Sequence, residues 1–214
     1  MTEDLFGGPP GEAERIGAGS ALLRGFALPS AADLVAAVDA VISAAPFRRM
    51  STPGGQAMSV TMSNAGALGW ITDRRGYRYS PVDPQSGRPW PPLPGCVLSL
   101  GRAAAALAGY EDFVPDACLI NRYEPGSRMS LHQDRDEKDF DAPIVSISLG
   151  LPAVFLFGGL SRSERTARVT LAHGDVLVWG GPDRLRFHGV MPLGAGEHPV
   201  TGACRINLTL RKAG

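Results

Sequence analysis

Over residues 1–20 the chain shows no hydrophobic period, Gly, Pro and Glu are frequent, and a loose N-terminal arm is expected. Ala21 to Phe26 then reads as a short strand. Pro29 and Ser30 offer a helix start, with Ser30 at the N-cap. Through Ala31 to Ala45, Leu34, Val35, Val38, Val41 and Ile42 recur at helical spacing, with Asp33 and Asp39 on the polar face. From Phe47 to Pro94 the texture changes. Thr52-Pro53-Gly54-Gly55 is a turn, and Met58 to Met62 alternates as a strand does. An aromatic, Pro-rich tract then runs from Trp70 through Tyr77 and Tyr79 to Trp90. A long irregular stretch inside a compact chain is expected to be a lid over a binding site.

Leu98 to Gly109 is an Ala-rich helix ended by a Gly. Beyond it the pattern turns to strands, at 117–123, 144–149, 154–157, 168–171, 175–179 and 205–211, separated by Gly- and Pro-bearing turns. Many short strands with such turns indicate two sheets closed into a barrel, as in a jelly roll.

The 27 Gly and 18 Pro are consistent with a loop-rich fold and stay below the level that argues for disorder. A length of 214 residues suits one domain. The formal net charge is zero, so no broad basic footprint for duplex DNA is written into the composition. Local clusters remain, at Arg48-Arg49, expected to be solvated loop charges, and at Arg74-Arg75 with Arg78. Cys96, Cys118 and Cys204 are far apart and each beside apolar residues, so reduced, buried thiols are expected rather than disulfides or a zinc ribbon. No basic stretch followed by an apolar one opens the chain, and the apolar run from Ile144 to Leu160 is interrupted by Pro152 and glycines. A soluble, cytoplasmic protein that does not enter a membrane is expected.

Chemistry enters with four patterns. In His132-Gln133-Asp134, an extended segment would turn the imidazole and the carboxylate to one side. His188 follows much later, just after a strand. Two histidines and a carboxylate are the facial set of non-haem Fe(II) oxygenases, which leaves three coordination positions open. Arg205 to Arg211 alternates strictly, with Ile206, Leu208 and Leu210 on one face and Arg205, Asn207, Thr209 and Arg211 on the other. If the polar face points into a barrel, two buried guanidinium groups need anions, and a dicarboxylate supplies both. Asn121 and Tyr123 share a face of the preceding strand and offer neutral donors to the same ligand.

In that order, N-x-Y, H-x-D, a late His and R-x-N-x-x-x-R resemble the AlkB family, and its bacterial members most of all. So do the tracts TPGGQAMSVTMSNAGALGW, YSPVDPQSGRPWPPLP and PDACLINRYEPGSRMSLHQDRDE, which include the lid. The resemblance implies an α+β chain with a double-stranded β-helix (jelly-roll) core, flanking helices and an N-terminal nucleotide-recognition lid. Residues 1–20 would be the arm and 21–214 a single domain, with the lid at about 47–95 and the core at about 117–214. His132, Asp134 and His188 would bind Fe(II). Asn121, Tyr123, Arg205, Asn207 and Arg211 would bind 2-oxoglutarate, with Arg205 on the distal carboxylate and Arg211 on the one near the metal.

The resemblance also implies a substrate site. Trp70 would stack on the base opposite His132, Tyr77 and Tyr79 would lie near the strand backbone, and Asp136 would meet the exocyclic amine or cationic ring. Arg162, Thr52, Met62 and Glu137 would complete the pocket. Arg78, Arg135 and Arg186 depart from the bacterial pattern and bear on substrate preference, not on the metal set. The implied reaction consumes O2 and 2-oxoglutarate, releases succinate, CO2 and formaldehyde, and removes alkyl groups from bases such as N1-methyladenine and N3-methylcytosine in DNA or RNA. A monomer acting on a single strand or a flipped-out base is expected. The rival readings are a 2-oxoglutarate oxygenase for a small molecule or protein substrate, and a metal-binding jelly roll without activity.

Overall fold

The computed structural model describes residues 13–214. Along them run β1 (Ala13–Gly17), β2 (Ser20–Leu23), α1 (Ala31–Ala44), β3 (Arg48–Ser51), β4 (Ala57–Gly66), β5 (Gly69–Asp73), β6 (Gly76–Ser80), α2 (Gly95–Leu107), β7 (Ala117–Tyr123), β8 (Met129–His132), β9 (Ile144–Gly150), β10 (Ala153–Phe157), β11 (Ala167–Leu171), β12 (Val176–Trp179), β13 (His188–Val190) and β14 (Arg205–Arg211). An eight-stranded sheet has the order β1-β2-β12-β9-β14-β7-β4-β3. A four-stranded sheet, β11-β10-β13-β8, faces it, and β5-β6 form a separate two-stranded hairpin.

Alternation along the strands splits the large sheet's residues between two apolar layers. Ile120, Val145, Ile147, Leu208 and Leu210 pack outward beneath α1 and α2. Leu34, Val38 and Val41 are the buried stripe of α1, each contributing about 1.5–3 kcal/mol by leaving water. Gly101 lets α2 press onto β14, since a Cβ there would sit 2.9 Å from Leu210 Cδ2. The opposite face packs Leu22, Ile144, Leu177 and Trp179 against Phe155 and Phe157 of the small sheet. The polar positions of β7 and β14 also point into this inner layer. Among the described residues no helix is long and apolar enough to cross a membrane.

Several expectations change. Residues 13–20, placed in a loose arm, form β1 and the start of β2, which pair antiparallel; residues 1–12 lie outside the described part. An edge strand such as β1 needs only backbone partners on one side, so it shows no clear apolar period. The stretch 47–95 is not irregular, because it holds β3 and β4, which extend the large sheet, and the β5–β6 hairpin. The hairpin turns through Arg74 and Arg75, and Gly76 takes the positive φ of 109°. Ser30 stands at the N-cap of α1 without a capping side-chain bond.

Arg48 is not a solvated loop charge. It is 10% exposed, grips Asp83 with both terminal nitrogens, and lies 5.1 Å over the Trp90 ring. This pair ties the loop after β6 to β3. Removing one partner of a buried pair costs about 3–5 kcal/mol, so Arg48→Met is expected to lower the urea midpoint of unfolding by a corresponding amount. Arg48 holds the Asp83 carboxyl down at about 2, well below the usual carboxylate range. The stabilisation is therefore full above the unfolded-state value and lost as pH falls toward the folded one. The acid limb of the wild type's stability profile should flatten in the variant.

Candidate active site

His132 closes β8 and His188 opens β13, and the antiparallel register sets them directly opposite one another. Their ring centroids are 4.4 Å apart. Asp134 follows β8 at the head of a loop, and Gln133 Nε2 donates to the Leu185 carbonyl, fastening that loop to the approach to β13. The ligand atoms of His132, Asp134 and His188 lie within 4.8 Å of one another. Each histidine's other nitrogen meets a backbone carbonyl, His132 Nδ1 at 2.9 Å from Ser130 O and His188 Nδ1 at 3.0 Å from Arg186 O. A carbonyl only accepts, so both Nδ1 atoms carry hydrogen and both Nε2 lone pairs are free for a metal. The Nε2 atoms stand 3.5 Å and 3.8 Å from the Asp134 carboxylate oxygens.

The electrostatics agree with a cation site. Burial and the charge of His132 hold His188 down at about 4, so it is a neutral donor. Burial also opposes charge on His132, but Asp134 outweighs it and leaves His132 above its ordinary value. Burial pushes the Asp134 carboxyl up, but Arg211 and the two histidines hold it well below the usual range. Phe155 and Trp179, expected as core, pack on the His188 ring at 5.8 and 5.1 Å and so also wall the site.

Beside this set the three central strands lay down a polar ladder. Arg205 of β14 pairs with Tyr123 of β7, and Asn207 stands between Asn121 of β7 and Ser148 of β9. Directly opposed residues share a face, so one register fixes four of the expected co-substrate contacts. Arg205 is 1% exposed, and its Nη2 donates to Ser148 Oγ at 3.0 Å. Among the described residues its Nε and Nη1 have no partner, nor does the Asn121 side-chain oxygen. Such orphaned donors are costly unless an anion meets them, so these unpartnered guanidinium nitrogens suit an anion such as a carboxylate. Asn207 is already engaged, donating from Nδ2 to Ser146 Oγ and the Ile147 carbonyl.

Arg211 differs from Arg205 in having protein anions beside it. Its Nε and Nη2 donate to Asp134 Oδ2 at 3.0 and 2.7 Å, and Nε lies 3.3 Å from Glu137 Oε1. Burial works against its charge, but Asp134 raises it above the ordinary guanidinium value.

A cleft of about 560 Å³ opens onto the metal set, with Thr52, Met62, Trp70, Tyr77, Asp136 and Arg162 among its walls. Trp70 and Tyr77 sit on one face of the β5–β6 hairpin, stacked at 5.6 Å and 16°. The Trp70 indole N–H donates to Asp136 Oδ2 at 2.7 Å. Tyr79 does not join this wall, because its hydroxyl turns away to donate to Glu137 Oε1 at 2.7 Å. Glu137 borders the cleft but is only 6% exposed, held by Tyr79, Arg184 and Arg211. Of the departures, Arg78 forks onto Asp73 across the hairpin, Arg135 is exposed, and Arg186 covers the Phe157 ring at 4.5 Å. Sequence reasoning missed Arg184, and Arg128 on the cleft wall; nothing in a lone Arg distinguishes a buried clamp from a surface charge.

Residues 19–211 match the model of the 2OG-Fe(II) oxygenase superfamily. The chain is 56% identical over 211 residues to the alpha-ketoglutarate-dependent dioxygenase AlkB of Escherichia coli, covering 99% of this chain and 98% of that one. It is 49% identical to the AlkB homolog of Caulobacter vibrioides, over 84% of this chain and 80% of the relative. Among solved structures, OsALKBH1 superposes with a TM-score of 0.82 at 27% identity, covering 94% of this chain and 99% of that one.

Proposed function

Because the chain belongs to the 2OG-Fe(II) oxygenase superfamily and, within it, to the AlkB family, we infer that His132, Asp134 and His188 hold Fe(II) and that Arg205 receives the distal carboxylate of 2-oxoglutarate. The protein is an Fe(II)- and 2-oxoglutarate-dependent dioxygenase that removes alkyl groups from nucleic-acid bases oxidatively. The observation that carries the residue assignment is the pairing of a tautomer-fixed His/Asp/His set with a buried guanidinium that lacks an anion.

Fe(II), with 2-oxoglutarate and O2, supplies the oxidation of an alkyl C–H bond that no side chain can perform. The chain's residues supply the rest. Asn121, Tyr123 and Asn207 line the ladder beside Arg205 and orient the co-substrate, while Arg211 fixes the Asp134 carboxylate and stands beside the co-substrate's metal-side carboxylate. Trp70 and His132 flank a base turned out of its strand, with Thr52, Met62, Tyr77 and Arg162 around it. Glu137 and Tyr79 act at one remove, through the contacts that keep Asp134 in place.

N1-methyladenine and N3-methylcytosine are cations, and Asp136 at the cleft favours them over the neutral normal bases. Trp70 stacking on a cationic ring adds about 0.5–2 kcal/mol. The lesion has also lost its base pairing, which lowers the cost of turning it out. The protein acts as a monomer on a single strand or a flipped base, and residues 13–214, with β1 and β2 paired into the large sheet, work as one domain. Asp136→Asn keeps an acceptor for the Trp70 N–H but removes the charge. It is expected to lower kcat/KM on N1-methyladenine by about 10–100-fold, the worth of a charged hydrogen bond, with little change in 2-oxoglutarate affinity. Steady-state kinetics on both ligands checks this.

The function itself is tested by anaerobic loading with Fe(II) and 2-oxoglutarate, then addition of O2 and a short single strand carrying one N1-methyladenine. Mass spectrometry should show loss of the methyl group. Succinate without demethylation would transfer the activity to a small molecule or protein substrate; neither product from a metal-loaded sample would refute the enzyme reading.

A further inference from the structure

We propose that Arg184 is the positioning residue for the loop that carries Asp134, and that it sets metal affinity through Glu137 and Arg211. The inference rests on the reading of His132, Asp134 and His188 as the metal ligands. Arg184 lies four residues before His188 and is 2% exposed. Its guanidinium spends all three nitrogens on the loop after β8. Nη1 donates to the Asp134 carbonyl, Nη2 to Glu137 Oε2 and Nε to the Ala142 carbonyl, each at 3.1 Å. One side chain from the turn before β13, which carries His188, thus clamps the loop that carries Asp134.

The clamp is also one half of a charge balance. Arg184 and Arg211 face Asp134 and Glu137, two cations against two carboxylates, all at most 9% exposed. Glu137 shares itself, with Oε2 on Arg184 and Oε1 between Arg211 Nε and the Tyr79 hydroxyl. Without Arg184 the cluster keeps two buried carboxylates and one guanidinium. A buried carboxylate without a partner seeks the nearest cation, and for Glu137 that is Arg211, the group that fixes Asp134 Oδ2. Glu137 then competes with Asp134 for Arg211, and the metal carboxylate loses its orientation although no ligand has been changed. Groups that orient ligands from behind are worth about 10–100-fold in metal affinity.

The test measures Co(II) binding to the whole protein by its visible d–d absorption, with thermal unfolding of the metal-free protein alongside. Arg184→Met should raise the Co(II) Kd by about 10–100-fold. Adding Glu137→Gln removes the surplus charge and should bring the Kd back to within about threefold of wild type, a non-additive pair. Arg184→Lys keeps the charge but not the three-way fork, so it should fall between, and it serves if the Met variant does not fold. An unchanged Kd in a folded Arg184 variant would overturn the proposal. So would a loss that Glu137→Gln does not relieve, since that describes general loosening of the loop. If wild type itself binds no Co(II), the metal assignment falls and the proposal with it.

Discussion

Alanine at His188 is expected to end succinate formation and demethylation together, at least about 10³-fold below wild type. A bound metal contributes several kcal/mol of transition-state stabilisation, at about 1.4 kcal/mol per factor of ten. Two ligands do not replace three here: among the described residues, His132, Asp134 and His188 are the group whose ligand atoms converge within 4.8 Å of one another. Phe155 and Trp179 pack the His188 ring, and the charged groups behind Asp134 are already paired. The substitution also leaves a void beside Trp179, so the folded fraction must be checked by circular dichroism. His132→Ala, on a half-exposed position, controls for that cavity. Both variants should bind 2-oxoglutarate weakly and hold less than stoichiometric iron by elemental analysis. A His188→Ala protein that keeps one iron per chain and turns over at more than a few per cent of wild type would remove His188 from the ligand set.

The second large effect belongs to Arg205, and it has two signs. Arg205→Met should raise the KM for 2-oxoglutarate by about 10²-fold, the loss of a charge-assisted fork at about 1.5–3 kcal/mol. The same change should leave the ligand-free protein as stable as wild type or more so. Among the described residues the Arg205 Nε and Nη1 have no partner, and burial pushes the guanidinium below its ordinary value. Methionine has similar length and carries no such penalty, and replacing unpaired buried charge by apolar packing is commonly neutral or favourable. Urea melts of the ligand-free variant and titration with 2-oxoglutarate read the two signs separately. A variant both less stable and unimpaired in co-substrate binding would make Arg205 a structural residue.

How much of this was legible differs from element to element. The strands 117–123 and 205–211 were read to the residue, because β14 alternates without interruption and β7 is bounded by turn residues on its C-terminal side. Their mutual register was not legible, yet it is the register that places Tyr123 opposite Arg205 and Asn121 opposite Asn207. The candidate metal set, whose ligand atoms the structure brings within 4.8 Å, is legible from spacing and order. β8 and β13, which deliver both histidines, are not, since four- and three-residue strands carry too little pattern to detect. β5 and β6 hid for another reason: Trp70, Thr72, Tyr77 and Tyr79 alternate on one face, but Arg74, Arg75 and Arg78 interrupt the apolar signal. The Tyr79–Glu137 hydrogen bond was not legible, because a sequence does not say whether a polar group faces a ligand or another side chain.

The two halves of the site stand on very different parts of the sheet system. The co-substrate ladder belongs to β7, β14 and β9, each of which has a paired neighbour on both sides. The two proposed metal histidines belong to β8, an edge strand, and to β13, whose register slips between His188 and Val190. Backbone amides at the centre of a sheet exchange with solvent deuterium only when the whole molecule opens, whereas edge amides exchange through local fraying. Metal binding should therefore slow deuterium uptake in β8 and β13 while leaving β14 almost as slow as before. On the proposed assignment, the receptor for 2-oxoglutarate would be built when the chain folds, and the iron half drawn tight only on loading.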